Sequence, residues 1–174
     1  MELKQIIDKL KSHYKYSVGA FKPLSKDEID IISRTKKIGD RQYNFDLPRD
    51  YLNFLYYFNG YTWQGTYCIL GISEFSDNRQ DRTNYVDFLI KNNHAKRLIE
   101  EAEILEDMDF LLVATYSFEW FIYVPKDRKY WKVSANFEDD IGEITAKEKY
   151  DTIADIVIYI DEKAGDGIFS SQSL

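Results

Sequence analysis

Three runs that favour extended backbone, Phe110 to Tyr116, Glu119 to Val124 and Tyr130 to Val133, are separated only by Ser117-Phe118 and by a turn at Pro125-Lys126-Asp127-Arg128. A parallel pair needs a crossover of about a dozen residues or more, so connections this short allow only antiparallel neighbours. Pro125 fixes φ at a turn position and Asp127 tolerates turn geometry. The second half of the chain is therefore expected to hold an antiparallel meander. Upstream, Tyr61 to Trp63 and Thr66 to Ile72 flank Gln64-Gly65 and read as a further hairpin.

The segments around these strands carry helix signals. From Leu47 to Gly60 the sequence is LPRDYLNFLYYFNG. Pro48 has no N–H to lose in a first helical turn. Tyr51, Leu52, Leu55 and Phe58 form an apolar stripe, opposite Arg49, Asp50 and Asn53. Asn59-Gly60 is the stop. Ser25 with Glu28 forms a capping box ahead of a helix whose apolar positions are Ile29, Ile31 and Ile32. Leu3, Ile6, Ile7 and Leu10 predict a short amphipathic helix within residues 1–20, docked at the periphery. Ile153, Ile156, Val157 and Ile160 recur at helical spacing, and Thr152 can cap them, so Tyr150 to Ile160 is expected to be a helix despite its β-branched content.

Between these landmarks the reading is coarser. Asp40 to Asp46 is a polar link with an extended piece at Tyr43 to Phe45. Ser73 to Asn84 is an exposed loop, and helices follow at Tyr85 to Ile90 and Ala95 to Leu105, interrupted by Lys91-Asn92-Asn93. Six acids between Glu100 and Asp109 make a solvated helix face. Residues 164–174 form a mobile tail beyond a single domain over 1–163.

At 174 residues the chain can bury a core without disulfides or metal. It is 44% apolar and 16% aromatic, which excludes a disordered chain. Cys68 is the lone cysteine, so no intramolecular disulfide or CxxC site exists, and with no signal-peptide or membrane-span pattern a cytoplasmic location is expected. The formal charge is −7, and the ten acidic and three basic residues from Ala135 to Leu174 carry the whole excess. Such a face repels phosphate backbones and attracts a basic protein, so neither nucleic acid nor membrane is expected as a partner.

Chemistry-bearing patterns are sparse. His13 and His94 lack metal-ligand spacing and read as surface residues. Cys68, inside an apolar run, reads as a small buried hydrophobe. Neither nucleotide-binding glycine motif is present around Gly60, Gly65 and Gly71, and pairs such as Asp139-Asp140 are ordinary in a chain with 30 acids. No catalytic residue, metal or cofactor is expected.

The string Leu47-Pro48-x-x-Tyr51-x-x-Phe54-Leu55, followed by Asn59-Gly60, resembles the signature of the SUKH superfamily, which includes yeast cell-wall-assembly regulators and many bacterial immunity proteins. The likeness spans Leu24 to Ile160. It includes a preceding helix near Ser25 to Ile38, a strand from about Tyr61, a meander and a closing helix. The stretch from Ser76 to Glu106 is longer than in a compact member. The resemblance implies one α+β domain, a mostly antiparallel sheet with helices on one face. It also implies a non-enzymatic protein that neutralises a cognate, basic toxin; a regulatory scaffold like the yeast proteins is the alternative. Trp63, Trp120 and Trp131, together with Glu138, Asp139, Asp140 and Glu143, have the composition of a protein-binding rim and are the candidate partner-binding residues.

Overall fold

The structure, a computed structural model, describes residues 1–13, 23–39, 41–63, 67–72, 91–101, 103, 105, 109–136, 143–165 and 167–170. Among these are α1 (Leu3–His13), α2 (Lys26–Thr35), β1 (Lys37–Ile38), β2 (Arg41–Gln42), α3 (Arg49–Tyr57), β3 (Tyr61–Trp63) and β4 (Tyr67–Ile69). A helix over 91–101, here α4, precedes β5 (Leu111–Tyr116), β6 (Glu119–Val124), β7 (Lys129–Asn136), β8 (Glu143–Tyr150) and α5 (Ile153–Ala164). Strands β3 to β8 form one antiparallel sheet in chain order, while β1 and β2 form a separate two-stranded ladder. The α+β class and the meander are as expected.

The sheet is longer than the sequence reading, because β8 pairs with β7 from Asn136↔Glu143 to Tyr130↔Tyr150. Register then fixes the two faces. Tyr61, Ile69, Ala114, Phe121 and Lys132 are successive cross-strand partners, and Phe121 meets Tyr159 of α5 at 5.6 Å between ring centroids. Thr62, Cys68, Thr115, Trp120 and Val133 occupy the other face, where His94 of α4 lies 5.9 Å from Trp120. Helices therefore stand on both faces, a correction to the one-sided cover expected. The cause is visible in β5, whose residues Leu111 to Thr115 are all buried and need cover on both sides.

On the α5 face, α1 packs against α3 and α5. Ile6, Ile7 and Leu10 are fully buried, so this helix belongs to the core and not to the periphery. Helix α3 buries Tyr51, Leu52, Phe54 and Leu55, and the Tyr51 hydroxyl donates to the Leu70 carbonyl at 2.7 Å. Pro48 is the N-cap, and the helix ends at Tyr57, with Phe58 in extended geometry. Asn59 and Gly60 act beyond it: Gly60 has φ +95°, and Asn59 Oδ1 accepts from the Ile72 N–H at 2.8 Å. Asp50 joins three elements, its Oδ1 accepting from the Tyr130 hydroxyl at 2.7 Å and its Oδ2 from the Ile153 N–H, at the start of α5, at 2.6 Å.

Both capping signals fold as read, Ser25 with Glu28 and Thr152 with Asp155. Helix α2 is shallower than its pattern suggests, with no fully buried residue and Ile31 half exposed. The extended piece expected at Tyr43 to Phe45 lies earlier, as the β1–β2 ladder. Lys91 to Asn93 do not break α4. Asn92 is fully buried within it, accepting from the Leu112 N–H at 2.8 Å and donating to the Leu112 carbonyl at 3.2 Å. A side-chain amide thus continues the ladder past the end of β4. The expected mobile tail is partly anchored, since Ile168 is buried and the Phe169 N–H donates to Asp161 Oδ2 at 3.2 Å. The expected turn at Gln64-Gly65, the loop at Ser73 to Asn84 and the helix at Tyr85 to Ile90 lie outside the described residues.

Candidate functional site

Sheet register separates the three tryptophans. Trp63 lies on the α5 face, 1% exposed, and its Nε1–H donates to Asp161 Oδ1 at 3.3 Å. It is a core residue, and its assignment to a partner-binding rim is withdrawn. Trp120 and Trp131 stay together on the α4 face, because Trp120 pairs with Val133 and Ile122 with Trp131.

Trp120 is itself buried, but it walls a cavity of about 340 Å³ with Lys91, His94, Thr115 and Phe118. Phe118, in the β5–β6 turn, is 61% exposed. The turn needs Ser117 at φ 50°, a conformation that is uncommon outside glycine and asparagine. Cys68 is buried as expected, with Thr115 Oγ1 at 3.4 Å and Lys91 Nζ at 3.8 Å from its sulfur. Both histidines are exposed.

Trp131 is half-buried and rigidly held. Its Nε1–H donates to Asp127 Oδ2 at 2.8 Å, and Lys149 Nζ reaches the same oxygen at 2.6 Å while lying 4.4 Å from the indole centroid. The Lys149 hydrogen bond holds the Asp127 carboxyl below its ordinary range. Exposed Phe118 and half-buried Trp131 thus offer aromatic surface suited to protein contact, while Trp120 is packed into the cavity wall. Glu143 opens β8 opposite Asn136. Glu138, Asp139 and Asp140 lie outside the described residues.

The α5 face holds a polar network that the sequence reading missed. Lys132, 6% exposed, sits 3.1 Å from Glu148 Oε2 and 3.7 Å from Glu119 Oε1, and donates to the Tyr159 hydroxyl at 3.2 Å. Tyr159 in turn donates to Glu119 at 2.5 Å, and Tyr150 to Glu148 at 2.7 Å. Burial alone would lower the Lys132 pKa, but bonds to Tyr159 and Glu148 and the Glu119 charge outweigh it, and the net shift is upward. The signal in the sequence was faint: Glu148 and Tyr150 stand two apart, on one face if the segment is a strand. With both carboxylates and the ammonium mutually paired, the network is structural.

Burial also raises the pKa of Tyr51, Tyr130 and Tyr150, and pushes Tyr43 up to about 12. Each folded value lies above the unfolded value near 10. The stability they contribute is therefore complete below about pH 10 and is lost as pH rises through the folded pKa. In a spectrophotometric titration, Tyr43, Tyr51, Tyr130 and Tyr150 should ionise only above about pH 10, together with loss of near-UV circular dichroism. Ionisation of all fourteen tyrosines near pH 10 in a folded chain would contradict this burial.

Among the described residues, no group of three or more His, Cys, Asp or Glu could hold a metal ion, and no helix is long and apolar enough to cross a membrane. Compared with known proteins, the chain matches no family model, no curated protein and no solved structure.

Proposed function

We propose that this chain is a non-enzymatic immunity protein of the cytoplasm, which binds a cognate, basic protein toxin and covers its active site. The observation that carries the reading is how the SUKH-like segment is used. Leu47, Tyr51, Phe54 and Leu55 are buried, Asn59 and Gly60 shape the chain after α3, and β3, the meander and α5 follow in the order the resemblance implies. Support for binding as the mode of action comes from exposed Phe118 and half-buried Trp131, and from the acidic excess from Ala135 onward.

The test pairs this protein with the toxin-like product of an adjoining reading frame. Co-expression should relieve growth arrest, and the purified proteins should co-elute. Glu138→Lys with Asp140→Lys should slow association by about tenfold or more and leave the melting temperature unchanged, and added salt should slow the native pair likewise. Trp131→Ala should instead raise the dissociation rate, with its melt measured alongside. Growth arrest that persists together with failure to co-elute would sink the immunity reading. Association indifferent to salt and to the double substitution would remove only the acidic steering.

A further inference from the structure

Among the described residues, four other than glycine have positive φ, and two of these, Lys36 at 53° and Arg128 at 55°, come to one end of the sheet around Asp46. Lys36 is the C-cap of α2, its N–H donating to the Ile32 carbonyl at 2.8 Å. Arg128 closes the β6–β7 turn, its N–H donating to the Val124 carbonyl at 2.9 Å. Glycine or asparagine takes such positions with less strain, yet each carries a cation. The ring of Phe45 lies 6.4 Å from that of Tyr123, and Asp50 accepts from Tyr130, so residues 45–50 lie against this turn. Lys36 Nζ meets Asp46 at 2.9 Å, and Arg49 opens α3. The Lys36 hydrogen bond and charge hold the Asp46 carboxyl below its ordinary range, and Arg128 and Arg49 act in the same direction.

We propose that this end of the sheet docks an acidic segment of a partner protein, its carboxylates pairing with Arg49 and Arg128 and an apolar side chain lying on Phe45 and Tyr123. Both arginines are exposed, and neither guanidinium has a hydrogen-bonded or ion-paired partner among the described residues. The neighbouring acids are engaged: Asp46 by Lys36, Asp127 by Lys149 and Trp131, and Asp151 by Lys129. Two unpaired guanidinium forks match carboxylates, and arginine beside half-buried aromatic rings is the composition of a binding hot spot. The surface is separate from the acidic segment proposed to meet a toxin. Arg128 precedes β7, whereas Glu143 pairs with Asn136 at the far end of that strand, about 25 Å away at the rise of extended backbone.

A protein segment fits this surface better than a nucleic acid. Asp46, exposed amid the cations, repels a strand whose phosphates recur at every nucleotide, and a net charge of −7 repels a long polyanion from a distance. A short peptide segment carries few charges and can hold its carboxylates clear of Asp46.

The experiment is a titration of the full chain with the acetylated, amidated peptide Glu-Glu-Phe-Glu-Glu, followed by amide chemical shifts. The neutral analogue Gln-Gln-Phe-Gln-Gln and a short single-stranded oligothymidylate are the comparisons. The acidic peptide should shift Phe45, Arg49, Tyr123 and Arg128 saturably, and neither comparison should. Arg128→Gly should weaken the peptide by on the order of tenfold while the melting temperature holds or rises, because glycine relieves the positive φ and the guanidinium leaves no partner behind. Arg49→Gln should weaken it several-fold. Asp46→Asn should tighten it several-fold, since it removes the carboxylate that competes for the same cations, a gain that a purely structural Asp46 would not give. Any of three results overturns the proposal: no saturable shifts with the acidic peptide, an equal or stronger response to the neutral analogue or the oligothymidylate, or peptide affinity unchanged in Arg128→Gly.

Discussion

Gly71→Ala is expected to lower the stability of the chain severely, by about 3 kcal/mol or more, at the upper end of what overpacking costs. A Cβ at Gly71 would lie 2.2 Å from the Asn59 carbonyl oxygen and 2.7 Å from its carbon. Those atoms are backbone and cannot rotate away. They also belong to the crossing where Asn59 Oδ1 accepts from Ile72 and Gly60 takes φ +95°, so a shift there disturbs the exit of α3 and the end of the β4 segment together. Gly165→Ala provides the contrast. Gly165 has φ +78° at the C-cap of α5, but open space surrounds its would-be Cβ, so only backbone strain of about 1 kcal/mol is expected. Urea denaturation of both variants measures the difference. Equal midpoints would show that the close approach of Asn59 and Gly71 does not constrain the fold.

Leu55→Ala should cost about 2–5 kcal/mol, and Asn53→Ala less than about 0.5 kcal/mol. Leu55 is fully buried in α3, whose inner face carries Tyr51, Leu52 and Phe54, and its carbonyl also accepts from the Leu24 N–H at 3.0 Å. The neighbours are large rings and branched side chains that cannot collapse into the vacated space, so the cavity persists. Asn53 faces solvent two positions away. Denaturant midpoints that fall equally for the two variants would mean that the wrong face of α3 has been placed in the core.

The two halves of the Leu47 to Gly60 segment show how far local chemistry reaches. Which residues of α3 turn inward could be read from their spacing, because helical periodicity operates within four residues. The positive φ of Gly60 suits its place at the stop, but its close approach to Gly71, beyond β4, could not be read from near neighbours. Asn92 was misread for the same reason. Its propensity signals a break, but 20 positions away the Leu112 peptide offers both a donor and an acceptor, and that pairing holds asparagine on the buried face of α4. β8 was overlooked because its alternation rests on Ile144 and Ala146 alone before the charged run Lys147-Glu148-Lys149, a weak signal that suits a strand at the edge of a sheet.

By itself the sequence determined the elements whose causes are short-range. The Ser25 and Thr152 caps, the inward face of α3, the tight turns that force an antiparallel meander, and the α+β class all follow from interactions a few residues apart. Tertiary structure alone decided what each face of the sheet meets. It sent Trp63 inward to Asp161, 98 positions away, and kept Trp120 and Trp131 together on the other face. It also brought Arg128 to the segment that holds Asp46 and Arg49 and paired Lys132 with carboxylates on two different strands. The physical reason is that side-chain type sets a residue's own backbone preference, whereas burial and charge pairing depend on which distant segment the register brings alongside it.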